Sequence, residues 1–182
     1  MRPSDRRWLA VAAVGVAACG CDGSGSSGPT PIDISGMYQV SHYTVSANDC
    51  VNEGTEITTL PYFRVLPGSK GYTAVRCTGA DVSTCANDIT AAAFSGDLIV
   101  VVDQAATDGW TGTLAAGSTM SGCMLLYSTS SALLANGDLR IEDRSYVDRP
   151  TLDAAACTAT EAQKRGASMP CASFNVYVGT KQ

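Results

Sequence analysis

From Gly36 onward the chain is cut at short intervals by pairs of residues that reverse a backbone: Pro67-Gly68, Ser95-Gly96, Asp108-Gly109, Gly117-Ser118 and Asn136-Gly137. Gly and Asn accept the positive φ that two-residue hairpin loops need, and Pro-Gly marks a further reversal. The runs between them are short and apolar or alternating, which is the pattern of an antiparallel all-β domain. The spacing predicts strands at 36–46, 55–66, 71–78, 89–94, 97–106, 110–116, 119–134 (broken) and 138–147. Eight consecutive neighbours make a meander, which closes into a small barrel or opens into a β-sandwich. Leu98 to Val102 is apolar throughout, and Cys123 to Tyr127 nearly so, so both faces should be covered there. The expected cover is one C-terminal helix, Thr151 to Arg165, with Leu152, Ala155, Ala156, Ala159 and Ala162 on one stripe. Thr151 or Asp153 would cap it and Gly166 would end it. A short final strand, Ser173 to Val178, follows.

This order of elements over residues 36–178 resembles the lipocalin-like barrel. Gly36-Met37-Tyr38 stands where that family carries Gly-x-Trp, with Tyr in place of Trp, and Arg144 stands for the basic residue that packs on it from a late strand. The resemblance implies an internal cavity for a small apolar ligand.

The amino terminus carries Arg2, Arg6 and Arg7, then eleven apolar or small residues from Trp8 to Ala18. A membrane-spanning helix needs about 20 apolar residues, so this is secretory-signal architecture instead. Val16-Ala17-Ala18-Cys19 resembles the lipobox of bacterial lipoproteins. That resemblance implies a diacylglyceryl group on the Cys19 thiol, cleavage before it and acylation of the new amino terminus; two or more acyl chains anchor a protein stably. Cys21 is the competing position, although the aliphatic residue is missing before it. In the same family an Asp after the lipidated cysteine favours inner-membrane retention, so Gly20 favours the outer membrane. The expected organisation is a signal peptide at 1–18, the lipidated cysteine with a Gly/Ser/Pro tether at 19–34, and one β-domain at 35–182. The tether, as flexible coil, holds the domain on the order of 20 Å from the bilayer.

The whole chain has net charge −5, and residues 1–18 hold three Arg and one Asp, so the remainder carries −7. That argues against nucleic acid and anionic lipid surfaces as partners. The domain has six cysteines, and export would place them where disulfides persist. Six permit fifteen connectivities. Cys77 and Cys85 flank a short turn and should pair. Cys157 and Cys171 bracket the helix and final strand, and Cys50 with Cys123 follows by elimination.

No residue pattern announces catalysis. His42, alone on a strand face, reads as an ordinary strand residue. Gly-x-Ser-x-Gly and a phosphate loop are both missing. Asp103 to Gly109 lacks the alternating oxygen ligands of a calcium loop and reads as a hairpin. Arg140, Glu142 and Arg144 share one face of a strand, as a recognition patch or as solvated ion pairs. Trp110, Tyr72, Tyr127 and Tyr177 read as core, whereas Tyr62-Phe63 after Pro61 suggests a bend or edge with ligand contact. No catalytic, cofactor-binding or metal-binding residue is assigned. The leading expectation is a non-enzymatic binding or scaffold lipoprotein with a small apolar ligand. A second is an envelope protein-interaction module using the loop Ala47 to Thr58, and a third is a hydrolase built on unrecognised carboxylates.

Overall fold

A computed structural model describes residues 30–182. Its strands are β1 (Gly36–Ala47), β2 (Thr55–Glu56), β3 (Tyr62–Pro67), β4 (Tyr72–Cys77), β5 (Leu98–Val102), β6 (Gln104–Ala106), β7 (Gly109–Ser118), β8 (Met124–Ala135), β9 (Asp138–Asp148) and β10 (Cys171–Lys181). Two short helices, α1 (Ile89–Ser95) and α2 (Ala159–Arg165), complete it. All the strands belong to one antiparallel sheet, ordered β5-β4-β3-β1-β10-β9-β8-β7-β6, with β2 also on β1. The expected all-β meander is thus the fold, and one nearly closed barrel replaces the sandwich alternative.

Closure happens twice. The last strand returns to the first, with Tyr38 opposite Lys181 and Ala47 opposite Ser173. At the other closure a single stretch of chain serves two neighbours: β5 pairs with β4, and after Asp103 the chain continues as β6, which pairs with β7. The Asp103 amide still donates to Thr111 O at 2.9 Å. A β-carbon on Gly112 would sit 2.3 Å from Val101 O, so only glycine lets the two edges approach there. Beyond that point β5 and β7 share no ladder, and Val101 and Leu114 are 43% and 57% exposed. The apolar run Leu98 to Val102 is therefore not covered on both sides as expected; it forms one bank of an open seam.

The barrel interior holds Tyr38, Phe63, Val65, Val102, Leu139 and Ile141, all almost fully buried. One end is plugged by the chain entering β1. Ile34 is buried, Tyr38 Oη donates to Ile34 O at 2.9 Å, and Trp110 Nε1 donates to Ile32 O at 2.7 Å. The packed part of the chain therefore reaches back to Ile32, into the segment expected to be tether.

Several local expectations are corrected. Residues 89–94 form α1, not a strand: Asp88 Oδ1 accepts from Ala91 N, three consecutive alanines favour the helix, and Gly96 ends it at φ 81°. The run 55–66 is broken between β2 and β3 at the segment ending in Pro61. The C-terminal helix begins at Ala159, capped by Thr158 Oγ1, because Asp153 Oδ1 accepts from Ala156 N and diverts residues 153–156 into a local turn. This helix lies over the outer face of β7 and β8, above Cys123 and Leu125, so it covers that apolar run and leaves the Leu98 run alone. The final strand is eleven residues long and closes the barrel. Asn136-Gly137 makes the expected two-residue hairpin, both residues at positive φ.

The disulfides are Cys77–Cys85, Cys50–Cys171 and Cys123–Cys157. The first is as expected; the pairings Cys157–Cys171 and Cys50–Cys123 are not formed. Pairing of β10 with β1 carries Cys171 to the segment leaving β1, where Asn48 N donates to Ala172 O and Cys50 waits. Cys157 is left beneath α2 beside Cys123, at the entry to β8.

Candidate functional site

Strand β9 divides the chemistry of the molecule, because successive side chains point to opposite faces. Arg140, Glu142 and Arg144 point outward, and Leu139, Ile141, Asp143 and Ser145 point inward. Across the outer face, hydrogen-bonded register aligns His42 of β1 with Val178 and Arg140. A bulge between Val40 and His42 sets this phase, sending Tyr43 and Val45 inward and His42 out.

The outer charges are nearly all paired. The loop after β1 is strapped to β10 by Cys50–Cys171 and lays Glu53 between His42 Nε2, at 3.1 Å, and the Arg140 guanidinium. Arg140 Nε reaches Glu142 at 2.8 Å, and Arg144 Nη1 reaches the same carboxylate at 2.7 Å. Arg144 also donates to Cys50 O and lies 4.0 Å over the Phe174 ring. It therefore does not pack on the Gly36-Met37-Tyr38 segment as the lipocalin-like resemblance implied; Tyr38 stacks instead on Phe63, inside. Burial pushes the Glu142 pKa up, but the two guanidiniums outweigh it, and the net shift is downward. Glu53 is likewise lowered, by Arg140 first and then His42. The Arg140, Glu142 and Arg144 face is an ion-pair lattice, His42 belongs to it, and the loop Ala47 to Thr58 is its lid.

The inner face one residue away is different. Ser130, Asp143 and Asn175 form one row across β8, β9 and β10, with Ser128 and Ser145 in the next. Asp143 Oδ1 accepts from Ser130 Oγ at 3.0 Å and Oδ2 from Ser145 Oγ at 3.5 Å. Burial raises its pKa against the opposing hydrogen bonds of Ser130, Asn175 and Ser145. Among the described residues no Lys, Arg or His forms an ion pair with it. The carboxylate lies in the cleft that the open seam creates, a space of about 420 Å³. Leu98 to Val101 of β5 form one bank, Thr113 and Leu114 of β7 the other, and Leu126 with the serines and Asp143 the floor.

A second hollow, about 460 Å³, opens beside Arg76 on β4. Strands β3, β1 and β10 separate β4 from β9 in one direction and β5, β6, β7 and β8 in the other, so the two hollows lie on opposite walls. Arg76 Nη2 donates to Tyr43 Oη and Tyr177 Oη, both at 3.4 Å, and these rings stack at 4.4 Å. Its Nε is buried without a partner.

The other sequence candidates fall outside these sites. Cys19 and Cys21 lie outside the described residues. Trp110 and Tyr177 are buried core, and Tyr72 and Tyr127 pack against core clusters, as expected. Phe63 is fully buried on a central strand, so Tyr62-Phe63 is no edge. Asp103 to Gly109 is the β6–β7 hairpin with Ala106 opposite Gly109. Asp143 itself was missed, although its signal is present: it continues the Leu139, Ile141 alternation onto the buried face.

Among the described residues no helix is long and apolar enough to cross a membrane, and no cluster of three metal-ligating side chains occurs. No known protein family, curated protein or solved structure matches this chain.

Proposed function

We propose that this chain is an exported, lipid-anchored binding protein whose barrel takes a small molecule into the seam cleft, without chemistry on it. The observation that carries this reading is the cleft: apolar banks, a polar floor and a volume within the range of small-molecule sites. Polar groups on the floor can fix a ligand's orientation while burial against the apolar banks supplies affinity. Three disulfides in the domain support export to an oxidising compartment. The Val16-Ala17-Ala18-Cys19 sequence supports anchoring through Cys19, and Gly20 supports the outer membrane. The loop Ala47 to Thr58 supports a protein-interaction face less well, because Glu53 is already engaged by Arg140 and His42.

Leu114 is exposed on the rim, so Leu114→Trp should occlude the cleft and leave the core intact. Native mass spectrometry of the full chain purified from its membrane should show a small molecule on the wild type that the variant lacks. The same bound mass on both proteins, or none on either, contradicts the reading. For the anchor, Cys19→Ser should abolish incorporation of labelled palmitate; persistent labelling assigns the lipid to another residue.

A further inference from the structure

The Asp143 carboxylate gives the seam cleft a charge preference, and this inference rests on the cleft being a ligand site. We propose that the cleft selects an organic ammonium carrying a compact apolar group, with the nitrogen seated against Asp143.

Three observations carry this. First, the carboxylate is partly buried and has no cationic partner among the described residues, whereas Glu142 beside it has two guanidiniums. An unpaired charge in a poorly hydrated site is costly, and a bound cation offsets that cost. Second, the hydroxyls are oriented as acceptors. Ser130 and Ser145 give their protons to Asp143, so the oxygen lone pairs are what remains for a ligand. Acceptors around an anion complement a group that only donates, and an ammonium brings up to three N–H donors and a charge. Third, the other ionisable side chain lining the cleft is Asp103, at the rim, so an anionic headgroup meets two carboxylates. Around this floor Val100 and Leu114 supply apolar walls, and Leu126 adds an apolar contact within it. The space of about 420 Å³ suits an aryl or short alkyl body.

The test is calorimetric titration of the full chain with three probes of one shape: 2-phenylethylamine, 2-phenylethanol and 3-phenylpropanoate, at pH 7.5. The amine should bind at least tenfold more tightly than the alcohol, and the carboxylate should not bind measurably. Asp143→Asn should abolish the preference, so that amine and alcohol bind alike. Ser130→Ala, which removes one acceptor and keeps the carboxylate, should weaken the amine severalfold and serves should the Asn variant fail to fold. Equal binding of amine and alcohol, or a preference that survives in Asp143→Asn or is untouched in Ser130→Ala, overturns the ammonium assignment while leaving the cleft a site. No binding of any probe, or binding undiminished in Leu114→Trp, overturns the cleft reading itself.

Discussion

Glu142 and Asp143 are adjacent carboxylates on one strand and live in opposite electrostatic worlds. Glu142 faces outward between Arg140 and Arg144, and its pKa is lowered even against burial. Asp143 faces inward among hydroxyls and an amide, and burial raises its pKa. The outer charges around Glu142 are thus paired with one another and roofed by a disulfide-strapped loop. The inner face is left unfinished at the seam where β5 and β7 part. A saturated lattice has little to offer a ligand, whereas an uncompensated carboxylate beside apolar walls does.

Breaking the outer side should have the largest effect. Cys50→Ala with Cys171→Ala removes a link spanning 121 residues and frees the loop that holds Glu53 on Arg140. The expected loss is about 2–5 kcal/mol, read by urea unfolding. Binding in the seam cleft, on the other face, should persist wherever the domain stays folded.

Asp143→Asn sharpens the contrast through pH. A raised folded-state pKa means that the folded chain holds the proton at pH values where the unfolded chain has released it. Stability contributed by Asp143 is therefore greatest in acid and falls as pH rises from the ordinary carboxylate range through the raised value. Glu142 runs the other way: its stabilisation is present above the unfolded pKa and is lost as pH falls through the lowered one. Relative to wild type, Asp143→Asn should be more stable at pH 7 than at pH 3, and Glu142→Gln less stable at pH 7 than at pH 3. Thermal unfolding across that range reads both. The Glu142→Gln effect should be the smallest, about 1 kcal/mol or less, and should shrink in salt, since Arg140 and Arg144 are partly exposed.

The same division explains what the sequence disclosed. The meander was legible where a turn states its chemistry locally, as Asn136-Gly137 does; Gly117-Ser118, expected as a turn, instead lies within β7 opposite Leu125 and Met124, and Ser95-Gly96 ends α1. Helix α1 was hidden inside a β pattern, although Asp88 and Gly96 bracket it as caps. Two of the three disulfides depart from expectation because proximity along the chain is not proximity in space: the return of β10 to β1 brings Cys171 to Cys50. For the site, period-two alternation correctly grouped Arg140, Glu142 and Arg144. What the alternation could not reveal was the seam, which depends on how closely β5 approaches β7 at Gly112, a property of two strands meeting.

The most direct test is a carbon-detected NMR titration of the side-chain carboxyls of Glu142 and Asp143 in one sample of the full chain, with and without 2-phenylethylamine. Asp143 should titrate above the ordinary carboxylate range and Glu142 below it. The amine should pull the Asp143 midpoint down and leave Glu142 unmoved, because a cation seated on a carboxylate favours its charged form. An Asp143 midpoint in the ordinary range and indifferent to the amine would contradict the account.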